Sequence, residues 1–187
     1  MERAYDPLAW DNGPRPPSTR AKDMQITNFK DMYLAELQEL ADMERQLATA
    51  LRRMADIALH AGLKRALADH FEQTTRQRER LRSMIQGHGV NPNAHTDQAM
   101  QALIRETEKM FTILKDADLR DAGLIASAQK LEHYEIAAYG TAAALAGQLD
   151  MRNDQAVLHE NLEEEKEMDL VLSQLAKSEV NRDALAA

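Results

Sequence analysis

Apolar residues recur at intervals of three and four positions along most of the chain, which predicts long amphipathic helices. The first apolar stripe consists of Leu37, Leu40, Leu47, Leu51 and Met54. It predicts a helix that begins at Asn28, a residue suited to capping, and ends before Gly62. A second helix is predicted from Leu63 to about Gln86, and the short link requires the two helices to be antiparallel neighbours.

The second half of the chain resumes the helical pattern after glycine, asparagine and proline residues interrupt it at 87–93. A short amphipathic helix is predicted at about 97–115, with Thr96 as its cap. Two further long helices are predicted at about 119–149 and 154–177. One long crossover between the second and third long helices is typical of ferritin-like proteins. We therefore predict an all-α, ferritin-like four-helix bundle with a short extra helix in the crossover.

The composition supports a helical protein, because only 4% of the residues are aromatic and there are only 7 glycines and 5 prolines. We expect the bundle to span residues 26–178. Residues 1–25 contain several helix-breaking prolines, so a flexible N-terminal tail is predicted there. Residues 179–187 are predicted to form a C-terminal tail.

The formal net charge of −8 disfavours binding to a phosphate backbone, so we expect no nucleic-acid partner. No stretch approaches the roughly 20 apolar residues that a membrane-spanning helix requires, so we expect no membrane partner. The chain has no cysteine, which fits a cytoplasmic location. A run of arginines is interpreted as a solvated helix face: Arg76, Arg78, Arg80 and Arg82.

Each long helix also carries polar residues at positions where its apolar stripe predicts burial. In chain order these are Glu44, then His70, Thr74 and Gln77, then Glu132 and Glu135, and finally Glu165 and Asp169. Burial of unpaired carboxylates is costly, so they require protonation, a cationic partner or a bound metal ion. The alternative is that some of them lie at a splayed, hydrated end of the bundle.

One or two divalent metal ions, Fe or Mn, would compensate these acids with oxygen ligands. The predicted ligands are Glu44, His70, Glu132, Glu135, Glu165 and Asp169. Tyr139 lies one turn beyond Glu135, and it is expected either to hydrogen-bond a ligating carboxylate or to be a plain core residue.

The string QKLEHYEIAAYGT at 129–141 is similar to the signature of the YciF/YciE-type ferritin-like stress proteins. Less specific matches accompany it at 35–40, 44–47, 70–74, 79–81 and 162–166, and at Asp169. The resemblance covers about residues 25–178. It implies a bundle related to rubrerythrin, a homodimer and production under stress, but no settled activity.

The chain departs from the catalytic di-iron relatives, in which two helices each carry Glu-x-x-His. The equivalent positions here are Thr74-x-x-Gln77 and Glu165-x-x-Met168, so both histidines are missing. This departure argues against oxidase, reductase and iron-storage chemistry, and it leaves open whether the protein is an enzyme.

Three functions remain compatible with the sequence. The first is a metal-binding stress-response protein, with redox chemistry towards peroxide or oxygen if it is an enzyme. The second is a non-catalytic structural or interaction dimer with a degenerate metal site. The third is a dodecameric cage that stores iron or shields DNA, and the acidic charge disfavours the DNA-shielding version.

Overall fold

The computed structural model describes residues 26–186. The predicted flexible tail at 1–25 therefore lies outside the described residues. The described part of the chain forms six α-helices: α1 Phe29–Ile57, α2 Ala61–Gly87, α3 Gln98–Ile113, α4 Ala117–Gln148, α5 Arg152–Leu175 and α6 Asn181–Ala186. A π-helical turn, Ala176–Val180, joins α5 to α6.

The four long helices α1, α2, α4 and α5 form the predicted bundle. α1 packs mainly on α2 and α4 mainly on α5, while the two pairs contact each other through α1 with α4 and α2 with α5. The crossover helix α3 lies against α1 and α4. The prediction of an all-α, ferritin-like bundle with a short crossover helix is confirmed. No helix within residues 26–186 combines the length and apolar character needed to cross a membrane.

Helix α1 starts where the sequence predicts, because the Asn28 side chain accepts a hydrogen bond from the backbone N–H of Asp31 at 2.9 Å. Its end also agrees with the prediction, which placed it before Gly62. α1 ends at Ile57, and the carboxylate of Asp121 accepts hydrogen bonds from the backbone N–H groups of Leu59 and His60. These bonds fix the link between the first two helices in a non-helical conformation.

The crossover helix is capped by Asp97 instead of Thr96. One carboxylate oxygen of Asp97 accepts a hydrogen bond from the backbone N–H of Met100 at 2.8 Å, and the other accepts one from the Tyr134 hydroxyl at 2.8 Å. Asp42 of α1 accepts a hydrogen bond from the backbone N–H of Asp97. The cap thus also ties the crossover to α1 and α4.

The C-terminal segment is more ordered than a tail. The backbone continues from α5 through the π-helical turn into α6, and the Val180 side chain is buried. Part of the segment 179–187, which the sequence assigns to a tail, therefore packs on the bundle.

The polar positions lie in the middle of the bundle. Along α1, Glu44 is flanked by the buried Leu40 and Leu47. Along α4, Glu132 and Glu135 lie between the buried Leu124 on one side and several buried alanines on the other. Apolar layers thus close the bundle above and below a polar layer, and the alternative of a splayed, hydrated end is wrong for these three acids.

We expect Asp121→Ala to lower the free energy of unfolding by about 1–3 kcal/mol, because it removes the buried acceptor of the backbone N–H groups of Leu59 and His60. Urea denaturation monitored by circular dichroism measures this change. Asp118→Ala, at an exposed position of the same helix, is the control and should change stability little. Equal stability of the two variants would contradict the role assigned to Asp121.

Candidate metal centre

Four side chains from three helices meet in the polar layer. They are His70 of α2, Glu132 and Glu135 of α4, and Glu165 of α5, and one potential ligand atom from each lies within 4.8 Å of the others. All four side chains are fully buried. The two glutamates of α4 are three residues apart, so they lie on the same face of the helix.

Most polar atoms of this cluster lack a hydrogen-bond partner among residues 26–186. They are both carboxylate oxygens of Glu132 and of Glu135, Oε2 of Glu165 and both ring nitrogens of His70. Nε2 of His70 lies 2.9 Å from Oε1 of Glu132 and 3.8 Å from Oε2 of Glu165, but ring and carboxylates are not aligned for hydrogen bonds. The four side chains of the cluster therefore do not supply one another with hydrogen-bond partners.

Burial and mutual repulsion control the protonation of the cluster. Burial, together with the charges of the neighbouring glutamates, raises the pKa of Glu135 and of Glu165 well above its usual value. For His70, burial lowers the pKa, but Glu132 and Glu44 raise it more, so the net shift is upward. Without a cation, the protonated forms of His70, Glu135 and Glu165 are thus favoured.

Glu44 lies beside this cluster and belongs to the same polar layer. Its Oε1 accepts a hydrogen bond from the Tyr139 hydroxyl, whereas its Oε2 has no partner in the described part of the chain. Burial raises the pKa of Glu44 to about 8, although the bond from Tyr139 and the charge of His70 act in the opposite direction. Of the two alternatives for Tyr139, the structure shows a buried residue that hydrogen-bonds a predicted ligand.

Asp169 is not brought into the cluster. It is partly exposed at the side of the bundle, where it accepts a hydrogen bond from the Gln129 amide at 3.1 Å and lies 3.6 Å from Nε2 of His133. Asp169 follows Glu165 by one turn, but the two side chains lie at different depths. The structure thus places five of the six predicted ligands in the buried layer, and their binding of a metal stays a prediction.

Sequence reasoning missed Arg80 as a member of this polar network. Its guanidinium donates two hydrogen bonds to the Glu164 carboxylate, at 2.8 and 2.9 Å, and one to the Asn161 side chain at 2.5 Å. Only 24% of the Arg80 side chain is exposed. The interpretation of the arginine run as a solvated face is therefore wrong for this residue. A signal existed, since Arg80 follows the buried Gln77 by three positions.

Two hydrogen-bonded chains link Arg80 to the acids. In the first, the Asn161 amide donates to the Tyr139 hydroxyl at 3.1 Å, and Tyr139 donates to Glu44. In the second, the Gln77 amide donates to Glu164 at 2.9 Å and also to Glu165. The polar layer is thus continuous with a partly exposed ion pair between α2 and α5.

A ferritin-like bundle that encloses a carboxylate–histidine cluster is the class of protein that this fold and site define. Within this class, a family model described as "Domain of unknown function (DUF892)" matches residues 28–185. The chain belongs to this family.

Relatives of known structure agree with that assignment. The protein YciF of Escherichia coli K12 is 37% identical over 162 residues, which cover 86% of this chain and 98% of the relative. The crystal structure of this E. coli stress protein superposes on this chain with a TM-score of 0.79, and the match covers 83% of this chain and 99% of the E. coli chain. YcfI of Rhodopseudomonas palustris, named as a candidate structural protein, is 33% identical, with a TM-score of 0.77 over 82% of this chain and 97% of its own. The resemblance inferred from the sequence is confirmed.

The metal-free protein should be less stable at about pH 8.5 than at about pH 5.5. The folded-state pKa values of Glu44, Glu135 and Glu165 lie above the unfolded value of 4.5. The stabilising contribution of these three carboxyl groups is therefore fully present below the unfolded pKa. It is lost as the pH rises through their folded-state pKa values, which for Glu44 is about 8. Urea denaturation of chelator-treated protein at the two pH values measures the loss.

Glu135→Gln should weaken this pH dependence and raise the melting temperature at the higher pH, because an amide cannot ionise. Glu163→Gln, which removes an exposed carboxylate from α5, is the control. A wild-type protein that is more stable at the higher pH than at the lower one would contradict the conclusion that burial raises the pKa values of these glutamates.

Proposed function

We propose that this protein is a stress-response member of its family that binds a divalent metal ion in the core of the bundle. The observation that carries the proposal is the set of buried cluster atoms without hydrogen-bond partners in residues 26–186. Buried polar groups are nearly always satisfied in proteins, so this many in one place points to a bound group. Three carboxylates and one imidazole form a donor set that suits Fe(II) or Mn(II).

The geometry favours one ion per chain. The four donor atoms lie within 4.8 Å of one another, which allows them to surround a single cation. A second ion would have Glu44 as its one additional carboxylate within residues 26–186, and only through Oε2, because Oε1 already accepts a hydrogen bond from Tyr139. The nearby Thr74 and Gln77 are neutral and cannot compensate a second dication. A bound Fe or Mn would supply Lewis-acid or redox chemistry towards oxygen or peroxide.

Mn(II) or anaerobic Fe(II) should bind with a stoichiometry near one per chain and raise the melting temperature by several degrees, since the ligand binds only the folded state. Elemental analysis after gel filtration and thermal denaturation measure the two effects. Glu135→Gln should lose the metal-dependent increase while raising the melting temperature of the metal-free protein.

Glu163→Gln is again the matched control and should respond to metal as the wild type does. If metal shifts no melting temperature and Glu135→Gln only destabilises the protein, the acids are structural groups and the metal proposal fails.

A structural or interaction role, as a homodimer with a degenerate site, is the second proposed function. Two observations favour it: a solved relative is named as a candidate structural protein, and both Glu-x-x-His motifs are incomplete in this chain. The two functions differ in chemistry, because a structural protein needs no turnover.

The altered ligand set should make oxidation of added Fe(II) slow compared with rubrerythrin-type enzymes. Imidazole ligands and their hydrogen-bond partners tune a bound metal, and here a single histidine contacts the cluster among the described residues. Absorbance of the Fe(III) product after mixing with Fe(II) and oxygen or peroxide measures the rate. Rapid oxidation over many cycles would establish an enzyme and exclude the purely structural role.

A further inference from the structure

The buried cluster has no exposed atom of its own, so a cation can reach it only if the bundle opens locally. His70, Glu132, Glu135 and Glu165 are all fully buried. Both hydrogen-bonded chains that lead from the polar layer towards solvent end at Arg80. This residue and its partner Glu164 are partly exposed, by 24% and 21%.

We propose that the Arg80–Glu164 ion pair is the gate through which a divalent cation enters and leaves the cluster. The inference rests on the proposed metal-binding function. Glu164 directly precedes the buried Glu165, and the more exposed Glu160 also lies 3.4 Å from the Arg80 guanidinium. Between Glu164 and Glu165 lies Gln77, which donates to both through its nitrogen, while its Oε1 is buried and has no partner among residues 26–186. A cation that moves from Glu164 to Glu165 must therefore displace the Gln77 amide nitrogen, and rotation of the amide would turn Oε1 towards the cation in its place.

Arg80 closes this path by both charge and geometry. Its guanidinium occupies both oxygens of Glu164 and repels an approaching cation. The guanidinium also donates a hydrogen bond to Asn161 of α5, so Arg80 links α2 to α5 at the level of the cluster.

Arg80 also has space to move aside. It lines an open groove between α2 and α5, together with Thr75, Arg76 and Glu79 on one side and Asn153 on the other. The guanidinium can rotate into this groove and release Glu164 without displacing a helix. Opening of the gate therefore requires a side-chain motion and the loss of a few hydrogen bonds.

Stopped-flow kinetics with Co(II) test the gate, because Co(II) binds nitrogen and oxygen sites firmly and absorbs visible light. Uptake is followed after mixing with metal-free protein, and release is followed after mixing the loaded protein with excess EDTA. Arg80→Gln should raise both the uptake rate and the release rate by about tenfold or more. A faster release is the signature of a gate, since loss of positive charge alone would speed uptake and slow release.

Arg78→Gln is the matched control, because it removes the same charge from the same helix at a position that lines a different groove with Arg45 and Phe71. It should not speed release. Arg80→Lys keeps the charge but cannot hold Glu164 and Asn161 together, so it should also speed release. This variant replaces Arg80→Gln in the experiment if Arg80→Gln does not fold.

Each other outcome has a distinct meaning. Equal release rates for wild type, Arg80→Gln and Arg80→Lys overturn the gate, as does an equal change in Arg78→Gln. Faster exchange in Asp169→Asn but not in the Arg80 variants would overturn it in favour of a route past the partly exposed Asp169. If the wild type takes up no Co(II) at all, the proposed metal site itself fails.

Discussion

The cost of enclosing several carboxylates in an apolar bundle is the constraint on which the rest of this structure depends. Leu40 and Leu47 of α1 and the apolar residues of α4 exclude water above and below the acids, and this exclusion makes ionisation expensive. A continuous apolar core would be more stable in the simplest case. Stability alone therefore does not account for the polar layer.

The negative charge of the acids is compensated by one basic side chain inside the polar layer and by a second one at its edge. Inside the layer, His70 is the only basic side chain that contacts the cluster within residues 26–186. At the edge, Arg80 is bound to Glu164 and reaches the acids only through neutral Gln77, Asn161 and Tyr139. Neither arrangement neutralises three or four glutamates, so protonation or a cation must supply the remainder. This shortage of internal cations is the basis of the proposal that a metal ion binds here.

The sequence predicts the helices and the buried acids well, because both follow from periodicity within a single helix. What it predicts poorly depends on partners far apart in the chain. Asp121 fixes the link between α1 and α2 from a position more than 60 residues away, and Asp97 is held by Asp42 and Tyr134. Arg80 is partly buried because Asn161 and Glu164 lie opposite it, whereas Asp169 has the correct spacing but the wrong depth. Helical spacing gives a residue's face to within about one position, and this is too coarse to decide ligation.

The replacement of the usual Glu-x-x-His by Thr74 and Gln77 in α2 has a physical consequence beyond the loss of ligands. A glutamate at Thr74 would add a further charge to acids that already repel one another, and a histidine at Gln77 could not bridge two carboxylates through one nitrogen. Gln77 instead joins the buried Glu165 to the partly exposed Glu164. The position that ligates metal in catalytic relatives therefore connects the cluster to the surface here. Under the proposed metal-binding function, such a site suits the holding and exchange of one cation better than redox cycling of a pair.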